Sequence, residues 1–519
     1  MKIVSVAQMR ELERRAAEEG LSTSALMDNA GLIVAKATRE WLGTKGEYRI
    51  VVLVGPGNNG GDGLVAARHL REWGNIVFVY LAAPRAEDDD NYKLAKEQGV
   101  ICHLASQDEN GTKLAGLVRS SNAVLDCLFG TGKSRTMSGV YKRILEQVRQ
   151  VKLEQPEMSV IAVDLPSGLD ADTGAVDPAT LDCDLTITLG YPKLGLFRFP
   201  GAAKLGMLIV TDIGIPPHLS QDIQVELINE SLGRSVLPPR PLDANKGSFG
   251  KVLVVSGSIN YIGAAYLACS GAMRAGAGLV TLATPQSLQP ILATKLTEVT
   301  YLPLPEAQPG IISPEAASLL PEWLPQYDAL LLGCGLGQSQ PTIEFVQRVL
   351  LSLPKKDCPK LVLDADGLNV LAKLPKWWQK LRGDAILTPH PGEMSRLCGL
   401  SIEEIQSDRW GVAKQMAGRW GKIVVLKGAY TVVASPDGLV RISSVANPGL
   451  ASAGTGDVLA GVIAGLLAQG LKPFEAACCG VYLHGAAGEM VAGEMGNAGM
   501  VASDLLPALP RVIKNTKGG

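Results

Sequence analysis

Apolar and polar positions change period along this chain in a regular way. Near the N-terminus Met9, Leu12 and Ala16 recur three and four residues apart among charged neighbours, the spacing of one helix face. Ser22 or Ser24 stands where it would cap a second helix running through Ala37. Short apolar runs then alternate with amphipathic ones. Runs 50–54, 76–81, 124–125, 160–163, 185–189 and 208–210 predict strands, and 61–73, 92–98, 112–119 and 140–148 predict helices. This alternation predicts a doubly wound parallel sheet. Around 229–245 the chain turns polar and proline-rich, which reads as a linker or an extended crossing segment. Alternation then resumes, with strands at 251–256, 279–283, 329–332, 361–363, 385–387, 423–426 and 431–434 and a helix at 263–275. The expectation is two α/β domains, 1–228 and 229–519, with no fixed-period repeat.

Composition narrows the class. In 519 residues, 46% hydrophobic and 19% charged side chains exclude wholesale disorder. Abundant glycine with few aromatics suits tight strand-to-helix turns better than β-sandwiches or stacking-based single-strand binders. A formal net charge of −2 provides no field for nucleic acid or an anionic membrane. None of the nine cysteines forms a C-x-x-C pair, and the five histidines show no zinc-ligand spacing with them. The N-terminus runs straight into a charged helix, and the apolar stretch 458–468 is too short to span a bilayer. A reduced, cytoplasmic chain without membrane or nucleic-acid partners is expected.

Three polar loops follow strands in the first domain. Gly55-Pro56-Gly57-Asn58-Asn59-Gly60-Gly61-Asp62-Gly63 contains G-x-G-x-x-G, whose glycines let backbone amides approach a phosphate. The next strand lacks the acidic residue a dinucleotide redox domain wants about 20 residues on, which weakens that reading. Asn and Asp add oxygens suited to a ligand or a cation. Asp126-Cys127-Leu128-Phe129-Gly130-Thr131-Gly132-Lys133-Ser134-Arg135 resembles a P-loop only until Cys127, where glycine is required. Asp164-Leu165-Pro166-Ser167-Gly168 is the third. Each alone could be a capped turn; at the carboxyl ends of parallel strands, all three converge on one crevice.

The strongest motif in the second domain is Asn447-Pro448-Gly449 followed by Ala453-Gly454-Thr455-Gly456-Asp457 and a glycine-rich helix. Amides of Gly454, Thr455 and Gly456 at a helix start make an anion hole, and Asp457 is placed to accept a proton from a hydroxyl beside it. Lys427-Gly428-Ala429-Tyr430-Thr431 joins two strands and is a candidate nucleotide contact. Thr388-Pro389-His390-Pro391-Gly392-Glu393-Met394 packs prolines around a histidine. Asp364 and Asp366 are a candidate pair for hydrated magnesium on a nucleotide.

Together these motifs resemble the bifunctional NAD(P)H-hydrate repair enzymes over nearly the whole chain. Residues 55–63, Asp126 with 129–132, and Asp164 with 166–168 resemble the epimerase signature. Lys246-Gly247, 390–393, Lys427-Gly428 and 454–457 resemble the ADP- or ATP-dependent dehydratase. The resemblance implies a Rossmann-like epimerase domain and a ribokinase-like dehydratase domain, in a homo-oligomer. It implies Asp457 as base toward the C6 hydroxyl of hydrated NADH or NADPH, and 427–431, Asn447 and 454–456 around the adenine nucleotide with its magnesium. Gly335 and the loop from His390 through Met394 would hold the hydrate. In the epimerase, Asn59, Asp126 and Ser167 would hold potassium. Residues Asn58 to Asp62 and Gly130 to Thr136 would cradle the dinucleotide, with Asp164 as acid/base. A ribokinase-like small-molecule kinase with a non-catalytic N-terminal binding domain is the competing reading, because it shares Gly-Thr-Gly-Asp.

Overall fold

The computed structural model describes residues 1–44, 46–86, 88–132, 136–353, 358–381 and 383–518. Contacts divide the chain into two compact units, Lys2–Ile223 and Gln224–Gly519, the latter with Met1.

The first unit opens with α1 (Val6–Glu18), started by a capping box between Ser5 and Gln8, and α2 (Thr23–Leu42), capped by Ser22. Alternation follows through β1 (Arg49–Val54), α3 (Asn58–Glu72), β2 (Ile76–Leu81), α4 (Asp90–Glu97) and β3 (Ile101–Leu104). It continues through α5 (Thr112–Arg119), β4 (Ala123–Cys127), α6 (Gly139–Glu154), β5 (Ser159–Val163), β6 (Leu185–Leu189) and β7 (Met207–Thr211). The seven strands form a parallel sheet in the order β3-β2-β1-β4-β5-β6-β7. Ile50 through Val54 are all fully buried, as expected of a strand covered by helices on both faces. The order reverses between β1 and β4, so their following turns diverge and leave a crevice.

The second unit begins with β8 (Val225–Ile228) and α7 (Glu230–Val236). The expected linker at 229–245 therefore contains a helix, capped by Asn229. The division also falls before the expected boundary near 228, because β8 pairs with a strand more than 200 positions further on. Next come β9 (Lys251–Val255), α8 (Ile262–Arg274), β10 (Leu279–Pro285), β11 (Thr300–Leu304) and the short pair β12 (Glu306–Gln308) and β13 (Ile311–Ile312). The remaining strands are β14 (Ala329–Leu332), β15 (Lys360–Leu363), β16 (Ala385–Leu387), β17 (Ile423–Leu426), β18 (Val432–Ala434) and β19 (Val440–Ser443). The main sheet runs β11-β10-β9-β14-β15-β16-β17-β18-β19-β8, parallel up to β17 and antiparallel through β19. Its order reverses between β9 and β14. The helix Thr455–Ala468 is buried almost throughout and packs closely on α8. A Cβ at Gly461 would lie 2.1 Å from the Ala268 carbonyl oxygen, so only glycine permits this approach.

Candidate functional sites

In the first unit, the turns after β1, β4 and β5 and the inner face of α1 surround a cavity of about 670 Å³. Gly57, Asn58, Asn59, Asp62, Gly130, Thr131, Gly132 and Asp164 line it, as the sequence led one to expect. Asn58 to Asp62 are not a loop, however: they form the first turn of α3, with Gly57 at its cap. Gly60 and Gly61 do not line the cavity. A Cβ at Gly60 would strike the Gly55 carbonyl oxygen at 2.1 Å, and one at Gly61 would strike Met27 Sδ at 2.5 Å, so both serve packing. Thr136 is exposed and lies outside the lining, and Lys133, Ser134 and Arg135 fall outside the described residues.

Asp164 has φ 69, a left-handed backbone conformation uncommon for a non-glycine residue. Its Oδ1 accepts from Lys193 Nζ, and its Oδ2 faces Gly130 and Asn59: a Cβ at Gly130 would lie 3.2 Å from Oδ2 and 3.3 Å from Asn59 Cβ. Burial pushes Asp62 well above the usual carboxylate range, and the charges of Asp164 and Glu13 add to that shift. Burial likewise raises Glu13. Lys193 and Glu13 were not signalled by the motifs, since neither belongs to a strand-end loop rich in glycine.

The three residues expected to hold potassium separate in character. Asp126 is fully buried in β4 and Ser167 saturates it: Ser167 N donates to Oδ2 at 2.8 Å and Ser167 Oγ to Oδ1 at 2.6 Å, while Leu128 N donates to Oδ1 at 3.2 Å. Asn59 is buried with both Oδ1 and Nδ2 lacking a partner. A buried amide is costly unless it is paired, so Asn59 is the position whose oxygen suits a cation.

In the second unit, Asp457 stands in the first turn of the helix Thr455–Ala468, with Gly454 in the left-handed region as its cap. That turn leaves amide N–H groups without intrahelical acceptors and carries the positive end of the helix dipole. Thr455 N is already engaged by the Ser452 carbonyl at 3.4 Å, so the expected 454–456 anion hole loses one of its three donors. His484 is buried with Nε2 2.9 Å from the Thr455 carbonyl oxygen, and burial lowers it to about 4, so it stays neutral.

Asp457 belongs to a compact cluster. Cys334 Sγ, an Asp364 oxygen and an Asp457 oxygen lie within 4.8 Å of one another. Lys427 Nζ donates to Asp364 Oδ1 at 2.6 Å and lies 3.8 Å from Glu393 Oε2. Thr388 Oγ1 also donates to Asp364 Oδ1, at 2.7 Å. Burial, with the Asp364 charge beside it, raises Asp457 to about 7. Burial raises Glu393 to about 7 against the opposing pull of Lys427. A Cβ at Gly456 would sit 3.3 Å from Lys427 Nζ, so the helix start and the Lys427 ammonium face one space.

Several residues expected to contact ligands also make contacts within the chain. Asp366 does not pair with Asp364: it accepts from Gly337 N at 2.8 Å and Gln338 Nε2 at 3.2 Å, bracing the loop after β14. With Asp364 bound by Lys427, the two carboxylates do not form a joint magnesium site. His390 caps the helix Pro391–Cys398, its Nδ1 accepting from Gly392 N at 3.0 Å. Met394 is fully buried and so has no surface to offer a hydrate. Gly335 touches the turn after β9, where a Cβ would lie 2.8 Å from Tyr261 Cβ. Lys427–Thr431 joins β17 to β18, with Tyr430 N donating to the Val445 carbonyl at 3.0 Å. Asn447 Oδ1 accepts from Gly449 N at 2.8 Å, while its buried Nδ2 has no partner.

Two parallel-sheet units, each with a polar cluster where its strand order reverses, define a tandem α/β enzyme. The family described as YjeF-related protein N-terminus matches residues 23–195, and that described as NAD(P)H-hydrate dehydratase matches 252–511. The chain is 42% identical to the bifunctional NAD(P)H-hydrate repair enzyme Nnr of Moorella thermoacetica, over 99% of this chain and 97% of that protein. It is 38% identical to the enzyme of the same name from Thermofilum pendens, over 99% of this chain and 96% of that one. An ADP/ATP-dependent NAD(P)H-hydrate dehydratase from Bacillus subtilis, co-crystallized with ATP/Mg2+, is 34% identical with a TM-score of 0.48, covering 57% of this chain and 99% of that one. The chain belongs to the family of bifunctional NAD(P)H-hydrate repair enzymes.

Proposed function

We propose that the first unit interconverts the R and S hydrates of NADH and NADPH, and that the second dehydrates the S form at the expense of ADP or ATP. Membership in the family over the full length supports the pairing of the two activities. The observation that carries the second activity is Asp457, held near neutrality at a helix start beside Lys427.

In that site Asp457 takes the proton of the C6 hydroxyl, which attacks the terminal phosphoryl group of the nucleotide. The helix-start amides and Lys427 face the phosphoryl charge as it builds. Phosphate then leaves C6 as the ring nitrogen donates its electron pair, and loss of a ring proton restores the dihydronicotinamide. Phosphorylation makes the reaction feasible because phosphate is a far better leaving group than hydroxide. Magnesium comes with the nucleotide, since Asp364 and Asp366 do not share a site. The 427–431 turn and Asn447 hold the adenine nucleotide in this reading, which the unpartnered buried Nδ2 of Asn447 supports.

In the first unit Asp164 acts as acid/base near C6, and residues of the α3 first turn and of 130–132 hold the dinucleotide. Asn59 would hold potassium, with Asp126 and Ser167 fixing the turns around it. Bound there, the ion would supply positive charge against the dinucleotide phosphates.

The test is a mixed-epimer hydrate incubated with magnesium, potassium and ADP or ATP. The expected outcome is recovery of the reduced-nicotinamide absorbance with release of one phosphate per ring, abolished in Asp457→Asn. A stable phosphorylated product would refute dehydration and favour a kinase.

A further inference from the structure

Among the described residues lining the first-unit cavity, Arg10 and Arg14 are exposed cations while Lys193 is 1% exposed. Its ammonium has three N–H donors and three acceptors: Asp164 Oδ1, Thr188 Oγ1 at 3.3 Å and the Leu189 carbonyl at 2.9 Å. No donor is left for a substrate. The backbone at 192–194 is strapped to the N-terminal segment, with Val4 N donating to the Pro192 carbonyl and Leu194 N to the Val4 carbonyl, each at 3.0 Å. Lys193 is thus held from both ends.

Its partner is held on one side. Among the described residues, the hydrogen bonds donated to the Asp164 carboxylate go to Oδ1: Lys193, Leu189 N at 3.4 Å and Thr188 Oγ1 at 3.5 Å. Oδ2 is turned toward Gly130 and Asn59 in the cavity. A buried pair serving stability alone would satisfy both carboxylate oxygens. This one leaves a single oxygen presented to the space where a ring would lie.

We propose that Lys193 is a positioning residue of the epimerase: it clamps Asp164 Oδ1, aims Oδ2 at the hydrated ring, and supplies the fixed positive charge that allows a carboxylate to work beside Asp62 and Glu13. The inference rests on the reading of Asp164 as the epimerase acid/base. The charged and titratable groups facing Asp164 are Lys193 after β6, Asp62 on α3, and Glu13, Arg10 and Arg14 on α1. Both arginines stand at the exposed rim, and Arg14 pairs with Glu11 and Glu18, so neither replaces the buried charge.

Conversion of R-hydrate to S-hydrate is measured as kcat and KM in the full chain for wild type, Lys193→Met, Asp164→Asn and the double variant. Lys193→Met is expected to lower kcat by about tenfold or more with KM changed less than about threefold, because the carboxylate is still present but no longer aimed. The double variant is expected to match Asp164→Asn, since a clamp without its carboxylate has nothing to aim. It also leaves no unpaired buried charge, so it remains informative if Lys193→Met alone fails to fold. Wild-type kcat in Lys193→Met, or additive losses in the double variant, would overturn the proposal. Wild-type turnover by Asp164→Asn would overturn the acid/base reading beneath it.

Discussion

Replacing Asp457 by asparagine removes the proposed base and also relieves a cost to the fold. The carboxyl is raised from 3.8 to about 7 by burial and by the neighbouring Asp364 charge. That is about 3 units, or about 4 kcal/mol of preference for the protonated form. The folded chain therefore holds more protons than the unfolded chain between about pH 4 and pH 7, and stability falls as pH rises through that window. The cost is absent below the unfolded value and fully present above about 7. Asparagine carries no charge at any pH. Solvent reaches part of this side chain, and an amide keeps some desolvation cost, so about half the figure is recoverable. Asp457→Asn is expected to stabilise the second unit by about 2 kcal/mol at pH 8 and by less than half as much at pH 5, while dehydratase turnover is lost. In a unit of this size, 2 kcal/mol raises Tm by roughly 3 °C. Thermal unfolding at the two pH values reads the effect, with the transition of the second unit identified by its shift on adding nucleotide. A gain equal at pH 5 and pH 8, or no gain at either, would refute the reasoning.

Three further outcomes follow from the geometry. Dehydratase kcat is expected to rise with pH through about 7, because only ionised Asp457 accepts a proton, and Asp364→Asn is expected to move that limb down by roughly 1 unit by removing a like charge; a flat profile between pH 5.5 and 8 in wild type excludes Asp457 as the base. Asn59→Ala is expected to abolish the response of epimerisation to potassium over sodium while leaving S-hydrate dehydration intact, and an undiminished response would place the ion elsewhere. A fragment beginning at residue 224 is expected to melt several degrees above one beginning at 229, because only the former keeps β8 on the sheet edge beside β19; equal melting would show that β8 contributes nothing to the second unit.

The strands were legible in the sequence because a parallel strand covered on both faces must be a continuous apolar run. β2, β14, β16 and β17 are such runs and fall where the period of the chain placed them. Asp457 was legible for a local reason too: glycine, threonine and glycine before it start a helix, and the residue that follows must sit in the first turn. The cavity-lining Asn59 and Asp164 were found because they lie in the segments that follow strands, where a doubly wound sheet opens. Residues whose role depends on a distant partner were not legible. Nothing in Gly190-Tyr191-Pro192-Lys193 marks Lys193 as the partner of Asp164, 29 positions away, and nothing beside Lys427 marks its ammonium as the partner of Asp364, 63 positions away. Asp364 and Asp366 looked paired, yet Asp364 turns to Thr388 and Lys427 while Asp366 turns to the loop after β14. Local periodicity and turn chemistry act over a few residues and are written in the sequence. Which charges meet is set by the order in which strands lie side by side, and that order exists only in the folded chain.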